Sequence, residues 1–439
     1  MSARSYRAYP AYKDSSVEWL GRIPAGWDVR RLKYLASLNP ESLPEETDPD
    51  MEMHYVDIGS VDALGRINEP ERLTFATAPS RARRVVRDGD TIVSTVRTYL
   101  RAIARIQGPA VGTIVSTGFA VVRAGAMVDR KYAAYALRAP YFVERVVSNS
   151  KGVSFPAINE SEMATFDLAL PSLREQSSIA SFLDRETARL DALVTKKERL
   201  ITLLQERRTA LITRAVTKGL DPAAPMKDSG VEWLGEIPAH WEVKKVKRLC
   251  LVKRGASPRP IDDPSYFDDD GEYAWVRIAD VTASERYLER TTQRLSALGK
   301  SLSVALEPGE LFVSIAGTVG KPIITRIKCC IHDGFVYFVH LHERREYLFY
   351  VFSCGEPYKG LGKMGTQLNL NTDTIGDIFL PRPSDAEQDE IVIVLDRETA
   401  RIDTLIDRVS SAIARLHELR TALISAAVTG KIDVREATH

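Results

Sequence analysis

The feature that most constrains this chain of 439 residues is that part of it occurs twice. The segment KDSSVEWLGRIPAGWDVRRLKYLA from Lys13 returns as KDSGVEWLGEIPAHWEVKKVKRLC from Lys227, with 15 of 24 positions identical by direct count. A second match closes each copy. EQ at Glu175, DRETARLD at Asp184 and RTALI at Arg208 reappear as EQ at Glu387, DRETARID at Asp396 and RTALI at Arg420, at a constant offset of 212. Self-similarity at such a period implies one structural unit used twice rather than two unrelated domains.

Between these anchors the copies diverge but keep a pattern. YVDIGSVD from Tyr55 aligns with WVRIADVT from Trp275, DGDTIVST from Asp88 with PGELFVSI from Pro308, and GFAVVRA from Gly118 with GFVYFVHL from Gly334. Each reads as a short β-branched and aromatic strand beside a turn, so the middle of each unit is mostly β, with a shorter helical stretch in RKYAAYALRAPYFVERVV. Asn159 with Glu162, and Asn371 at the equivalent place, are expected to cap a following helical turn. Each unit then crosses proline (Pro171; Pro381 and Pro383) into a long helix.

Those helices carry a heptad pattern. Leu183, Leu190, Leu204 and Leu211 lie on one row, with Leu193 and Leu200 on the next. The second copy repeats them as Leu395, Ile402, Leu416 and Leu423 beside Leu405 and Leu419. A 3.5-residue repeat over about five heptads without Gly or Pro predicts a coiled coil, and matching stops (AVTKG at Ala215, AVTGK at Ala427) end both. A lone seam would face water, so the helices are expected to pack on each other, antiparallel, as a duplicated unit favours. A helix from Arg174 to Val216 would then act as a spacer on the order of 60 Å. The fold class is α+β: two mostly-β domains (residues 14–171 and 227–383) separated by a pair of long antiparallel coiled-coil helices (172–219 and 384–431), related by a pseudo-two-fold internal repeat.

At this point the residues resemble a known family. The repeated V-E-W-L-G-x-I-P-x-x-W segment, the G-x-x-x-N-L-N stretch from Gly365 to Asn371, the L-P then E-Q junctions and the paired D-R-E-T-A-R helices look like the specificity subunit of type I restriction-modification systems. The resemblance spans nearly the whole chain. It implies two target recognition domains, each reading half of an asymmetric bipartite site in double-stranded DNA, and helices that dock two modification (methyltransferase) subunits and, through them, restriction subunits. It further implies that this chain is not an enzyme by itself and binds no cofactor. Its partners, an adenine-N6 methyltransferase and an ATP-dependent endonuclease, would use S-adenosylmethionine, ATP and Mg²⁺. The departure is in the first copy, where KGVSFPAIN from Lys151 replaces GTQLNLN.

Charge adds a local argument that the total hides, since the formal net charge is only +1. From Arg81 to Lys151 there are 13 Lys+Arg and 4 Asp+Glu, a balance of +9, while Glu41 to Glu71 holds 10 acidic residues and 1 basic, a balance of −9. Separate basic and acidic faces are expected. Arg81, Arg83, Arg84, Arg97, Tyr99, Arg101 and Lys151 are candidate DNA contacts, with Arg97, Tyr99 and Arg101 sharing one face if they lie on a strand. In the second copy Lys253, Arg254, Arg259, Lys321, Lys363, Gln367 and Asn369 are the candidates. Any single arginine among these is as readily a solvated surface residue.

Catalytic chemistry has no candidate here. Gly317, Gly320 and Lys321 in AGTVGKP imitate a phosphate loop, but proline follows the lysine where Ser or Thr would bind Mg²⁺. Glu242-Val243-Lys244 mirrors Asp28-Val29-Arg30 in the repeat and reads as a strand. His340 and His342 lack ligand partners nearby, so no metal site is expected. The four cysteines, all in the second half without a C-x-x-C pair, and the absence of a membrane-length apolar run point to a cytoplasmic chain with no membrane association. The alternative to DNA specificity is a non-catalytic, protein-binding coiled-coil scaffold.

Overall fold

The computed structural model describes residues 6–359, 361 and 370–435. It divides into two compact units, residues 1–197 with 411–439, and residues 198–410. Each unit therefore takes the start of one long helix and the end of the other.

In the first unit, strands Glu71–Thr74, Glu52–Val56, Thr113–Ser116 and Ala82–Val85 form one sheet in that order, its central pair parallel. Strands Ala36–Leu38, Phe119–Ala124, Thr91–Ser94 and Ile103–Arg105 form a second, wholly antiparallel sheet. The second unit repeats the first of these as Gln293–Leu295, Tyr273–Val276, Cys329–Ile331 and Val304–Leu306, again with a parallel central pair. Its other sheet has five strands, Leu251–Arg254, Phe335–Val339, Leu311–Ser314, Pro322–Thr325 and Tyr287–Leu288. The aligned pairs of the sequence thus become equivalent strands. Thr91–Ser94 and Leu311–Ser314 are buried at every position, which explains their unbroken runs of apolar and hydroxyl residues. RKYAAYALRAPYFVERVV folds as two helices, Arg130–Arg138 and Pro140–Ser148, because Ala139 before the proline is held extended at ψ 142°.

The duplicated anchors have physical jobs. Gln176, wholly buried, donates to the carbonyls of Pro171 (2.9 Å) and Met127 (3.2 Å) and accepts from the Asp129 N–H (2.7 Å), locking the helix start to its domain. Gln388 likewise donates to the Pro383 carbonyl (3.2 Å), but its second acceptor is the Glu343 carboxylate (2.7 Å), and it accepts from the Arg344 N–H (3.2 Å). Gln176→Ala removes three hydrogen bonds, the one to the Pro171 carbonyl fully buried, and is expected to cost about 2 kcal/mol, read as a shift in the denaturant midpoint at unchanged slope. In each D-R-E-T-A-R segment the aspartate accepts a hydrogen bond from a tyrosine hydroxyl that also lies within hydrogen-bond distance of the threonine. Tyr135 donates to Asp184 at 2.8 Å and Tyr350 to Asp396 at 2.6 Å, and burial first, then these carboxylates, push both phenols up to about 12.

The long helices, Leu173–Lys218 and Asp385–Val428, run antiparallel in both units. In the first unit Ile179 and Leu183 share a core with Leu423, Ile424 and Val428, and farther along the Arg420 guanidinium meets Asp191 at 3.1 Å. In the second unit Ile391 and Leu395 share a core with Ile212 and Val216, and Arg208 meets Asp403 at 3.0 Å. The ion pairs are images of each other at the offset of 212 and account for the repeated R-T-A-L-I and R-[LI]-D segments. The stops are equally specific. Gly219 and Gly430 adopt φ +71° and +70°, and a side chain on Gly430 would strike Pro24 at 2.3 Å beside Trp27.

The expected seam needs correction. Leu183, Leu190, Leu395, Ile402 and Leu423 are buried, but Leu193, Leu204, Leu211 and Leu416 are half-buried and Leu200, Leu405 and Leu419 are exposed. The buried stripe instead follows Leu183, Thr187, Leu190 and Val194: the row of Leu183 and Leu190 is kept, but its buried companion row, seven residues apart at Thr187 and Val194, lies one residue on from the expected row of Leu193 and Leu200.

Candidate nucleic-acid interface

The acidic and basic segments of the first unit do not form separate faces; they neutralise each other. Arg81 donates to the Tyr55 hydroxyl (3.1 Å) and pairs with Asp57 (3.1 Å), and Arg87 pairs with Glu41. Arg123 bridges Glu41 (2.6 Å) and the buried Asp90 (2.8 Å). Arg123, with Arg87, holds the Glu41 carboxyl below the usual carboxylate range. Arg84 is mostly buried and spent on Glu160 (2.9 Å) and Ser42. Arg83 donates to its neighbour's carbonyl and stacks over Phe75. The local balance of +9 therefore overstates what is available to a phosphate, and Arg81 and Arg84 are structural residues.

What remains accessible is a smaller group. Arg97, Tyr99 and Arg101 are not on a strand. They surround a 3-10 turn, Thr98–Leu100, with Arg97 and Arg101 both left-handed at φ 52° and 53°. The alternation R-T-Y-L-R imitates a strand, but the strand ends at Ser94, and Thr98 is buried with its hydroxyl donating to Ser150 at 2.8 Å. Two non-glycine residues in that conformation cost of order 1–3 kcal/mol each, which the surrounding hydrogen bonds must offset. Arg101 reaches Glu144 (2.7 Å), while Arg97, Tyr99 and Lys151 are exposed.

In the second unit Lys253 and Arg254 end the exposed edge strand Leu251–Arg254, which pairs with Phe335–Val339. Arg254 donates to the Asp333 carbonyl and Arg259 pairs with the Asp333 carboxylate (3.0 Å), so both line one loop cluster with Lys253 nearby on the strand. Lys245 first, then Lys247, holds Asp377 down at about 2. Lys321 is drawn inward, donating to the Thr282 carbonyl (3.1 Å), and burial lowers its pKa. It is a turn residue rather than a phosphate ligand, and Gly317 and Gly320, at φ +66° and +84°, make that turn. Lys363, Gln367 and Asn369 lie outside the described residues. Asn371 caps its helix as expected, accepting from the Asp373 and Thr374 N–H groups at 2.9 Å, whereas the Asn159 side chain makes no capping bond.

Elsewhere the chemistry is that of a framework. The four cysteines are free, and burial pushes each thiol up, Cys329 and Cys250 to about 12 and Cys330 and Cys354 to about 11. Among the described residues no group of three or more His, Cys, Asp or Glu is placed to hold a metal ion, and no helix is long and apolar enough to cross a membrane.

Two β-rich units with exposed cations at strand ends and turns, each built onto parts of the same two long helices, define a class of duplicated recognition proteins. The family model for the type I restriction modification DNA specificity domain matches residues 86–203 and again residues 238–413, and the chain belongs to that family. Its role is therefore DNA sequence specificity, carried by two recognition domains. The putative type I restriction enzyme MjaX specificity subunit of Methanocaldococcus jannaschii is 21% identical over 435 residues, spanning 95% of this chain and 96% of its own length. The MjaVIII specificity subunit of the same organism is 23% identical over 344 residues, 74% of this chain and 75% of its own. Among solved structures, a chain from a study of complex assembly and conformational transition of the type I R-M system superposes with a TM-score of 0.74 at 24% identity, covering 92% of this chain and 98% of that one. The HsdS subunit from Thermoanaerobacter tengcongensis superposes at 0.52 and 24% identity, covering 93% and 98%. At these identities the superpositions speak for the fold alone.

Proposed function

We propose that this chain reads a bipartite, asymmetric site in double-stranded DNA, one half-site per unit, and docks two adenine methyltransferase subunits and, through them, restriction subunits. Methyl transfer and ATP-dependent cleavage belong to those partners, which would use S-adenosylmethionine, ATP and Mg²⁺. This chain contributes sequence choice and no cofactor, within the cytoplasm.

The observation that carries the reading is the distribution of sameness. The residues repeated at constant offset (Gln176 and Gln388, Asp184 and Asp396, Arg208 and Arg420) all serve the helices and their junctions. The exposed cations differ, a left-handed turn in one unit and an edge strand in the other. A shared frame suits two copies of one partner, and divergent surfaces suit two different half-sites. Leu200, Leu203, Leu405 and Leu419, between 42% and 52% exposed, leave apolar helix surface for that partner. A protein-binding scaffold would use the same leucines. Salt titration separates the two readings, because a DNA-reading chain loses affinity steeply and linearly in log[salt], and a scaffold shows no such slope.

A further inference from the structure

Beside the left-handed turn of the first unit stands a loop, residues 151–157, whose sequence KGVSFPA departs from the polar GTQLNLN of the second copy. Its base is closed by paired backbone bonds between Lys151 and Ala157 (2.8 and 2.9 Å). It is tied to the turn by the Arg97 N–H on the Pro156 carbonyl (2.8 Å) and the Ile158 N–H on the Thr95 carbonyl (2.9 Å). Gly152 bends it at φ +109°, where an added Cβ would press on the Phe155 carbonyl at 3.3 Å. A loop so anchored holds its tip in place. Yet that tip presents Val153, 101% exposed, and Phe155, 59% exposed, to water.

Single exposed apolar residues are ordinary, but these two share one short tip flanked by cations. The Arg97 guanidinium lies 4.9 Å from the Phe155 ring centroid, Lys151 stands exposed at the loop base, and Tyr99 is 54% exposed on the adjoining turn. Apolar tips between cations match one chemical setting well, a base-pair stack bordered by phosphates, where a wedge unstacks a step and the cations hold the backbone. On this basis, and resting on the DNA-reading function above, we infer that Val153 and Phe155 form a wedge. It enters between neighbouring base pairs of the half-site read by the first unit, with Arg97 and Lys151 on the flanking phosphates. Steps that unstack cheaply favour it, so a pyrimidine–purine step is expected at that point. This half-site is then read partly through deformability.

The test uses the full chain without any methyltransferase, so that no partner can extrude a base. Duplexes carry 2-aminopurine at successive positions across the half-site. The wild-type chain is expected to raise the fluorescence several-fold at one step. Val153→Ser with Phe155→Ser loses that rise and binds roughly tenfold more weakly, while Phe155→Leu, still apolar, keeps it. Both side chains are exposed, so thermal unfolding of the variants should match wild type and exclude misfolding. Arg97→Ala should weaken binding but preserve the rise at saturating protein. A rise that survives the double serine variant, or DNA binding by wild type with no rise at any position, overturns the wedge. So does a double variant that loses affinity for a protein partner while binding DNA normally. If the wild-type chain binds no duplex in low salt, the DNA-reading function fails and takes the wedge with it.

Discussion

Replacing Leu200 and Leu405 by aspartate should leave the chain folded and abolish its association with the methyltransferase subunit. Both side chains belong to the second unit, one on each long helix, and are 42% and 46% exposed, so the charges enter no core and the melting temperature should move little. Within a partner interface the same charges would be buried without counterions. Central contacts of that kind are worth about 2 kcal/mol or more each, and a double change should weaken docking by roughly a thousandfold. Titration calorimetry of the variant against purified partner reads this directly. Wild-type affinity in the variant would place the docking surface elsewhere. Leu395→Asp, by contrast, puts a charge at a wholly buried position and should unfold the second unit, which separates docking from stability.

The second large effect should be confined to half of the DNA. Arg97→Ala with Lys151→Ala removes two exposed cations from the first unit, and Lys253→Ala with Arg259→Ala removes two from the second. Each pair is expected to cost about 2–4 kcal/mol on the intact site. On a duplex whose first half-site is scrambled, the Arg97/Lys151 variant should lose much less, because without insertion of the loop tip these cations are no longer held against the flanking phosphates. The second-unit variant should behave in the mirror-image way. Competition binding at fixed salt measures both, and equal losses on every duplex would show that these cations contribute only sequence-independent attraction.

Much of the frame was legible in the sequence because it was written twice. The repeat located the equivalent strands, and the glycine stops appear as left-handed glycines at 219 and 430. Gln176 and Gln388 stood out as part of a repeated E-Q junction, although nothing in one dimension shows that Gln176 is buried against two carbonyls and Gln388 against one carbonyl and the Glu343 carboxylate. The heptad reading placed one row correctly, through Leu183 and Leu190 and through Leu395 and Ile402, but took its companion row one residue too early. The buried companions are Thr187 and Val194, and Thr399, so the second leucine row, Leu200, Leu405 and Leu419, faces solvent.

The site was less legible, for two physical reasons. Net charge along a segment does not reveal which charges meet. Arg81, Arg84 and Arg123 were absorbed by Asp57, Glu160, Glu41 and Asp90, residues up to 82 positions away. Period-2 alternation at Arg97, Tyr99 and Arg101 mimicked a strand that tertiary structure turned into a tight, left-handed corner. Val153 and Phe155 were missed because apolar letters in a loop ordinarily signal burial. The replacement of GTQLNLN by KGVSFPAIN was the one available sign that this loop differs.

The most direct test of the central claim is a map of methylated adenines in a host that carries this chain with its own modification partner. Two short, unlike half-sites separated by a fixed gap, with the first half-site alone changing when the first unit's middle is exchanged for that of a relative, is the predicted result. A single undivided motif, or a motif that changes in both halves after that exchange, would contradict the reading of one half-site by each unit.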